Sequence, residues 1–151
     1  MERKYELTEE TINVDDKILH RIKAVRAFNN VKARDLGGFI EKEYNLSHDG
    51  DAWIYDNARV FGNAQVCGDA RVSGNAMIKS RFDLCVFMYF GSVNRTTTAF
   101  KTRDKKICVK CGCFLGTLEE FRKKVKITHG DNQYAKEYLM MADLIELKLK
   151  Q

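Results

Sequence analysis

The sequence predicts a mixed β/α fold in which a short left-handed β-helix, built from six-residue units, is capped at both ends. Between Gly50 and Lys79 the unit repeats five times, with alanine at one position and isoleucine or valine two positions later. Two such columns at a spacing of six are typical of a parallel β-helix made of hexapeptides. The columns are Ala52, Ala58, Ala64, Ala70 and Ala76, and Ile54, Val60, Val66, Val72 and Ile78.

Both columns are expected to face the interior. Side chains two positions apart on a strand lie on the same face, so the alanine and the aliphatic residue of each unit point the same way. Glycine followed by Asn or Asp supplies the corners, because these residues tolerate a positive φ. Ile40 and Leu46 continue the spacing towards the N-terminus. We therefore predict that the β-helix spans residues 38–80, a little over two coils of three hexapeptides.

Both ends of so short a stack need a cap, because each exposes apolar core and unpaired strand edges. Residues 1–37 are predicted to form an N-terminal β cap, since Lys17 to Val25 alternates like a half-buried strand. Residues 81–151 are predicted to form a C-terminal module of three strands and two helices. The three strands are expected at 82–90, 96–102 and 106–113.

The two helices are predicted from their caps and apolar stripes. Thr117 and Glu120 are spaced as a capping box at the start of the first helix. The second helix is expected to begin at Asp131 or Asn132 and to end near Leu149. Its inward residues are predicted to be Tyr134, Tyr138, Met141, Ile145 and Leu149. The strand at 82–90 is apolar on both faces, which predicts burial on both sides, one of them against another subunit.

Composition narrows the class of function. The 151 residues carry a net charge of +5, with basic residues densest at Arg103–Lys106 and Arg122–Lys126. Such positions are either solvated surface or attract an anionic partner, such as a nucleotide or an acidic protein face. Nucleic acid itself is not the expected partner. The longest apolar run, Leu84–Phe90, is far shorter than the ~20 residues of a membrane helix. Because the N-terminus also lacks an apolar signal, we expect a cytoplasmic location and no membrane partner.

The cysteines raise the question of a metal. Cys108, Cys111 and Cys113, with His129, suggest a zinc site, but their spacing is wrong for the common knuckle pairs. On a strand, Cys108 would also face away from the other two. We therefore expect thiols that pack as small apolar groups, with no metal and no cofactor.

The outward positions of the repeat offer a first candidate binding surface. They place aromatic residues beside arginines, which is unusual on a plain solenoid surface. They suit either a subunit interface or a cleft that stacks bases and holds phosphates. The candidates are Trp53, Tyr55, Arg59, Phe61 and Arg71.

A glycine-flanked turn into the first helix is a second candidate. Gly112, Gly116 and Thr117 would offer free N–H groups and a positive dipole end to an anion. Arg95 and Thr96 are expected in a turn of the same small sheet. The alternative is that Gly116 only permits the turn and that Thr117 caps its own helix.

His48 is the histidine nearest the repeat. It is either an exposed turn residue or a catalytic base.

Three resemblances add to these expectations. The repeats GNAQVC and GDARVS resemble hexapeptide-repeat proteins, the family that includes trimeric acyltransferases. The stretch from Ile22 to Tyr55 is similar to the opening of bacterial and phage β-helix proteins labelled as transferases or polymer-forming proteins. The tail, with Cys111 to Phe114, Gly116 to Phe121 and His129 to Leu139, resembles a small module of phage and prophage proteins. The resemblances imply a phage-type homo-oligomer, a trimer first of all, acting in an infected bacterial cell.

Three functions follow as hypotheses. The first is an accessory binding protein that antagonises host defence by sequestering a nucleotide-type signal where subunits meet, with basic residues on phosphates and aromatic residues on bases. The second is a protein-binding inhibitor of a host defence nuclease, or an assembly adaptor. The third is an acyltransferase, which the fold alone suggests; a little over two coils leave short walls, and no loop interrupts the repeats.

Overall fold

Residues 2–150, which the computed structural model describes, begin with an antiparallel hairpin of β1 (Tyr5–Val14) and β2 (Lys17–Ala24). Asp15 and Asp16 form its turn with φ of 49° and 64°, a region that short polar side chains tolerate. β2 then pairs antiparallel with β3 (Leu36–Ile40). The N-terminal cap is therefore a hairpin joined edge to edge with the start of the repeat.

The six-residue repeat forms short parallel strands. β4 (Trp53–Ile54) pairs with β6 (Arg71–Val72), and β5 (Arg59–Val60) pairs with β7 (Met77–Ile78). Partners in both pairs are eighteen positions apart, which is three hexapeptides. A further parallel bridge joins Leu46 to Val66. Within the regular repeats the chain thus returns to the same side of the molecule after every three units, whereas the Leu46–Val66 bridge spans twenty positions.

Both predicted columns face the interior. All five alanines and all five aliphatic residues are fully buried, and so are Ile40 and Leu46. The prediction that inward residues begin before the regular repeats is therefore confirmed. Their expected six-residue register is wrong, because Ile40 pairs with Val60 and Leu46 with Val66, twenty positions apart, so the chain before Gly50 takes two extra residues per coil. β3 pairs parallel with β5, so the hairpin and one side of the repeat form a single sheet in the order β1-β2-β3-β5-β7.

Gly38 marks the closest approach of two backbones in this sheet. The N–H of Phe39 donates to the carbonyl oxygen of Ala58 at 2.9 Å. A Cβ atom on Gly38 would lie 2.5 Å from that same oxygen. The pairing of β3 with the repeat therefore requires glycine at this position.

The C-terminal module is a four-stranded antiparallel sheet followed by two helices. The strands are β8 (Leu84–Phe90), β9 (Arg95–Lys101), β10 (Ile107–Cys111) and β11 (Phe114–Thr117), in the order β11-β10-β9-β8. The sequence predicts three strands, so β11 is a correction. It forms because Gly116, expected in a turn, pairs with Val109 of β10.

The sheet lies between the repeat and the two helices, α1 (Leu118–His129) and α2 (Gln133–Leu149). Leu84 and Phe100 face the core of the repeat, whereas Val109 and Cys111 face the helices. Of the predicted inward residues of α2, four are buried and Tyr134 is exposed, so its prediction is wrong. No helix within residues 2–150 is long and apolar enough to cross a membrane.

Candidate anion-binding cleft

Trp53 does not lie on an exposed surface. It is 1% exposed and makes edge contacts with Phe28 and Tyr5, at centroid distances of 5.2 and 6.3 Å. The prediction that it is available to stack on a ligand is wrong, because the N-terminal segment covers this side of the repeat.

Phe61 and Tyr55 also contact residues that precede the regular repeats. Phe61 is 2% exposed and packs in an apolar cluster with Leu19 and Phe39. Tyr55 is half-buried, and its hydroxyl donates to Oδ1 of Asn30 at 3.0 Å. The outward aromatic residues therefore fix the cap to the repeat, and the expected stacking surface is not formed by a single chain.

The two outward arginines lie on different sides of the repeat. Arg71 is half-buried in the strand that pairs with that of Trp53. Its backbone N–H donates to Oγ1 of Thr98 at 3.0 Å. Arg59 lies between β3 and β7; its Nε is buried and has no hydrogen-bond partner in the described part of the chain. Burial, and then the nearby Arg103, lower the pKa of Arg59. The five outward candidates therefore do not converge on one site.

The second group of candidates is divided between the two ends of β11. Gly112 lies in the turn between β10 and β11 with a φ of 59°, and the guanidinium of Arg95 covers it. Thr96, also in β9, is half-buried. Gly116 and Thr117 lie at the far end of β11, where it leads into α1. A strand of four residues is about 10 Å long, so Gly112 and Gly116 lie too far apart to contact one small anion and the predicted cluster is not formed.

The start of α1 is occupied by its own cap. The N–H of Glu120 donates to Oγ1 of Thr117 at 3.1 Å, and the N–H of Thr117 donates to the Glu120 carboxylate at 2.9 Å. This second hydrogen bond is the main cause of the lowered pKa of Glu120. The capping box is therefore confirmed, and it uses the groups that were expected to bind an anion.

A basic cleft of about 900 Å³ lies where the repeat, the β9–β10 hairpin and the two helices meet. Its walls carry seven basic and three acidic side chains, so the lining is predominantly positive. The basic residues are Lys79, Lys101, Arg103, Lys105, Lys106, Arg122 and Lys150. The acidic residues are Asp83, Glu119 and Glu146. Clustered charge of one sign in a concave site attracts and concentrates ions of the opposite sign.

Some of these cations are held in place by neighbours. The guanidinium of Arg103 donates to the carbonyl oxygen of Asn57 at 2.7 Å. Arg122 bridges Glu146 at 2.7 Å and Asp143 at 3.0 Å, and the hydrogen bond to Glu146 is the main cause of its raised pKa. Lys101 pairs with the buried Asp83 at 3.6 Å.

Two cations of the cleft are available to a ligand. Lys79 and Lys105 have exposed side chains, and no hydrogen bond or ion pair of either ammonium group is found within residues 2–150. Apolar side chains line the cleft beside them: Met77, Ile107, Leu118 and Leu149. Free charge next to apolar surface is the combination that a phosphate joined to an organic group requires.

The sequence signals only part of this cleft. The basic runs at Arg103–Lys106 and Arg122–Lys126 supply four of its cations, whereas Lys79, Lys101 and Lys150 carry no local signal. Of the predicted binding residues, Thr117 lines the cleft. Arg59 is adjacent, since its strand partner Met77 is in the wall.

His48 is buried rather than exposed, so the expectation of an exposed turn residue is wrong. Its ring stacks on Tyr5 with centroids 4.1 Å apart, and it is 6% exposed. Nδ1 accepts from the N–H of Lys4 at 3.0 Å, and Nε2 donates to Glu43 at 2.8 Å. That second hydrogen bond is the main cause of the lowered pKa of Glu43. With both nitrogens engaged, His48 has none left to act as a base.

The cysteines are separate free thiols. Cys108 packs towards the repeat core and Cys111 towards the helices, while Cys113 is exposed. Burial raises the pKa of the Cys85 and Cys108 thiols, which disfavours the reactive thiolate. Within residues 2–150 no group of three or more metal-ligating side chains is found.

Comparison with protein families supports the reading of the repeat. A model described as the YdcK beta solenoid repeat matches residues 52–68 and 64–79. These matches fall on the alanine and aliphatic columns, and they confirm that this segment is a repeated β-solenoid unit. No curated protein matches the chain closely enough to count as a relative.

Proposed function

We propose that this protein is a phage-type accessory binding protein that sequesters a nucleotide-type signal of the host and so antagonises host defence. The observation that carries the proposal is the basic cleft, where seven cationic side chains converge beside apolar walls. Phosphate groups favour such convergent cations, and apolar surface beside them suits the organic part of a small molecule. Binding without turnover is proposed because no catalytic arrangement accompanies these groups in the described residues.

The size of the cleft supports a small molecule. At about 900 Å³ it lies within the range of ~300 to 1,000 Å³ that ligand pockets occupy. The cleft is formed by one chain, so ligand binding does not require the pockets between subunits that the sequence predicts. Lys79 and Lys105 are proposed to hold the phosphates. The hydrogen bond to Asn57 fixes the position of the Arg103 guanidinium in the same cleft.

The family match supports a β-solenoid repeat but does not give its handedness. We infer that the repeat winds as a left-handed β-helix, an inference supported by parallel pairing at intervals of three hexapeptides. Trimeric association, a phage origin and a cytoplasmic location stay predictions from the sequence.

The test is retention of a nucleotide. Purified protein is incubated with cyclic nucleotides and cyclic ADP-ribose isomers, desalted, heated, and the released small molecules are identified by mass spectrometry. We expect one unchanged compound at near-stoichiometric yield. If every compound passes through the column at micromolar protein, or emerges as a reaction product, the proposal fails.

Paired variants locate the site. Lys79→Gln and Lys105→Gln each remove one free cation, so we expect about 10-fold weaker binding, the effect of losing one charged hydrogen bond. Lys124→Gln, on the exposed side of α1, is the matched control and is expected to bind like the wild type. Equal binding by all three variants would place the ligand elsewhere.

The same cleft also fits an acidic protein face, which keeps the protein-binding inhibitor or adaptor as the second candidate. Affinity capture from infected cells that yields one stoichiometric host protein, released by Lys79→Gln and Lys105→Gln, would favour it over a nucleotide. An acyltransferase is the weaker alternative, since His48 is buried and fully hydrogen-bonded.

A further inference from the structure

We propose that two copies of this chain associate through the edge strand β8 and the adjacent side of α2. β8 ends the C-terminal sheet, so within the described residues one of its backbone edges has no partner strand. Its sequence, Leu84–Phe90, contains no charged residue and no proline. Proteins usually protect an edge strand with such residues or with a bulge, and β8 has its bulge between Phe87 and Phe90. The regular part of the edge, from Leu84 to Phe87, is therefore the site of strand pairing.

α2 runs along β8 in the opposite direction. Its Lys148 ammonium donates to the carbonyl oxygen of Leu84 at 2.7 Å, and Glu137 accepts from the N–H of Gly91 at 2.8 Å. These two contacts hold the helix beside both ends of the strand. Any partner that adds to the β8 edge therefore also meets the outward side of α2.

That outward side is apolar. Met140, Leu144 and Leu147 follow a helical spacing and are 69%, 55% and 70% exposed. Leu144 and Leu147 line a groove with Phe82 and Val86. Phe82, at 74% exposed, is the most exposed aromatic residue of this region. A continuous apolar patch of this kind marks an interaction site.

The exposed area is sufficient for a specific dimer. At about 200 Å² for a large side chain, the exposed parts of Phe82, Val86, Met140, Leu144 and Leu147 come to roughly 600 Å². Two copies would together bury about 1,200 Å², which is where specific interfaces begin. Hydrogen bonds between the two β8 edges would be additional.

A second copy is the occupant that fits best. Among residues 2–150, Lys148 is the only charged residue that lines the groove, and its ammonium donates to the carbonyl oxygen of Leu84, so this lining offers no free charge to a charged partner. Antiparallel pairing of β8 with its own copy about a two-fold axis satisfies both edges and brings the two apolar patches together. An edge strand accepts one further strand, so this contact gives a dimer, which we propose in place of the trimer that the sequence resemblance implies.

The test is the mass in solution, by light scattering and sedimentation over 5 to 100 µM protein, concentrations of the order at which weak dimers form. We expect a dimer for the wild type and a monomer for Leu144→Glu/Leu147→Glu. Ile127→Glu, which places the same charge at an 82% exposed apolar residue of α1, is the control and is expected to remain dimeric. Circular dichroism checks that all three are folded.

A second variant tests the strand itself. Val86→Lys places a charge on β8 and leaves every residue of α2 unchanged, and we expect it to weaken the dimer at least 10-fold. A monomeric or trimeric wild type, or a dimer that persists in both Leu144→Glu/Leu147→Glu and Val86→Lys, would overturn the proposal. The basic cleft is lined by other residues, so nucleotide retention by the monomeric variant tests the proposed function separately.

Discussion

The ammonium group of Lys4 lies in the interior and donates to the carbonyl oxygen of Ala52 at 2.6 Å. It also donates to Gly50 at 3.3 Å, at the first corner of the regular repeat. The backbone N–H of the same residue donates to His48. One residue near the N-terminus thus ties the cap to the repeat through three hydrogen bonds.

Stability is predicted to depend on pH through Lys4. Burial, and then Arg26, lower the pKa of its ammonium group from 10.5 to about 8. Between pH 8 and 10.5 the unfolded chain therefore binds more protons at this site than the folded chain, so the contribution to stability rises with pH. A shift of this size corresponds to about 3 kcal/mol.

Comparison with Lys4→Met isolates this effect. Tyr5, Cys85 and Cys108 have raised pKa values and act in the opposite direction, but they are present in both proteins. Urea unfolding at pH 7, 8, 9 and 10 should show the wild type gaining stability relative to Lys4→Met above pH 8. The exposed Lys32→Met is the control, for which no trend is expected. A flat difference for Lys4→Met would refute the assignment.

Gly38→Ala is expected to destabilise the protein by about 3 kcal/mol, because overpacking against fixed backbone cannot relax. Its new Cβ would lie 2.5 Å from the carbonyl oxygen of Ala58. Gly74→Ala is the matched control: no atom lies within 4 Å of its Cβ position, and its φ of 61° alone should cost about 1 kcal/mol. The free energies of urea unfolding compare the two. Equal losses would mean that the close approach at Gly38 is not the constraint.

Loss of the cap on α1 is predicted to be modest and specific. Thr117→Ala removes the hydroxyl that accepts from the N–H of Glu120, which should cost about 1 kcal/mol of unfolding free energy. Asn132→Ala, which removes the cap of α2, should cost a similar amount. Thr117→Ser restores an accepting hydroxyl and is expected to restore stability. The thermal unfolding midpoints of the three variants test this prediction. A midpoint of Thr117→Ala equal to that of the wild type would argue against the stabilising role of the cap.

The burial of Trp53 can be read from its fluorescence, because it is the single tryptophan of the chain. We expect blue-shifted emission and weak quenching by acrylamide in the folded protein. Phe28→Ala removes an edge contact at 5.2 Å and should increase the quenching. Phe82→Ala, at a 74% exposed aromatic, should leave the quenching unchanged. Folded protein whose emission matches that of the unfolded chain would show that Trp53 is exposed to solvent, contrary to the prediction.

Sequence reasoning worked best where a local rule decides the outcome. The inward columns follow from the strand alternation of two and the six-residue spacing, and the capping box follows from the positions of Thr117 and Glu120. Prediction from the sequence failed where the structure of a residue depends on a contact with a residue outside its local pattern. Gly116 signals a turn by itself, but its pairing with Val109 makes it part of a strand.

The candidate site shows the same division. Trp53 and Phe61 are outward residues of the repeat, as the alternation requires, yet distant residues such as Phe28 and Leu19 cover them. The basic cleft escaped detection as a unit because Lys79, Lys105 and Lys150 come from three separate segments.

The sequence by itself determined the repeating β core of this protein, because a period of six with small and branched side chains leaves few ways to bury both columns. Only the tertiary structure decided which outward faces are covered and where the positive charge collects. Those outcomes depend on contacts between residues far apart in the chain, and no local pattern carries that information.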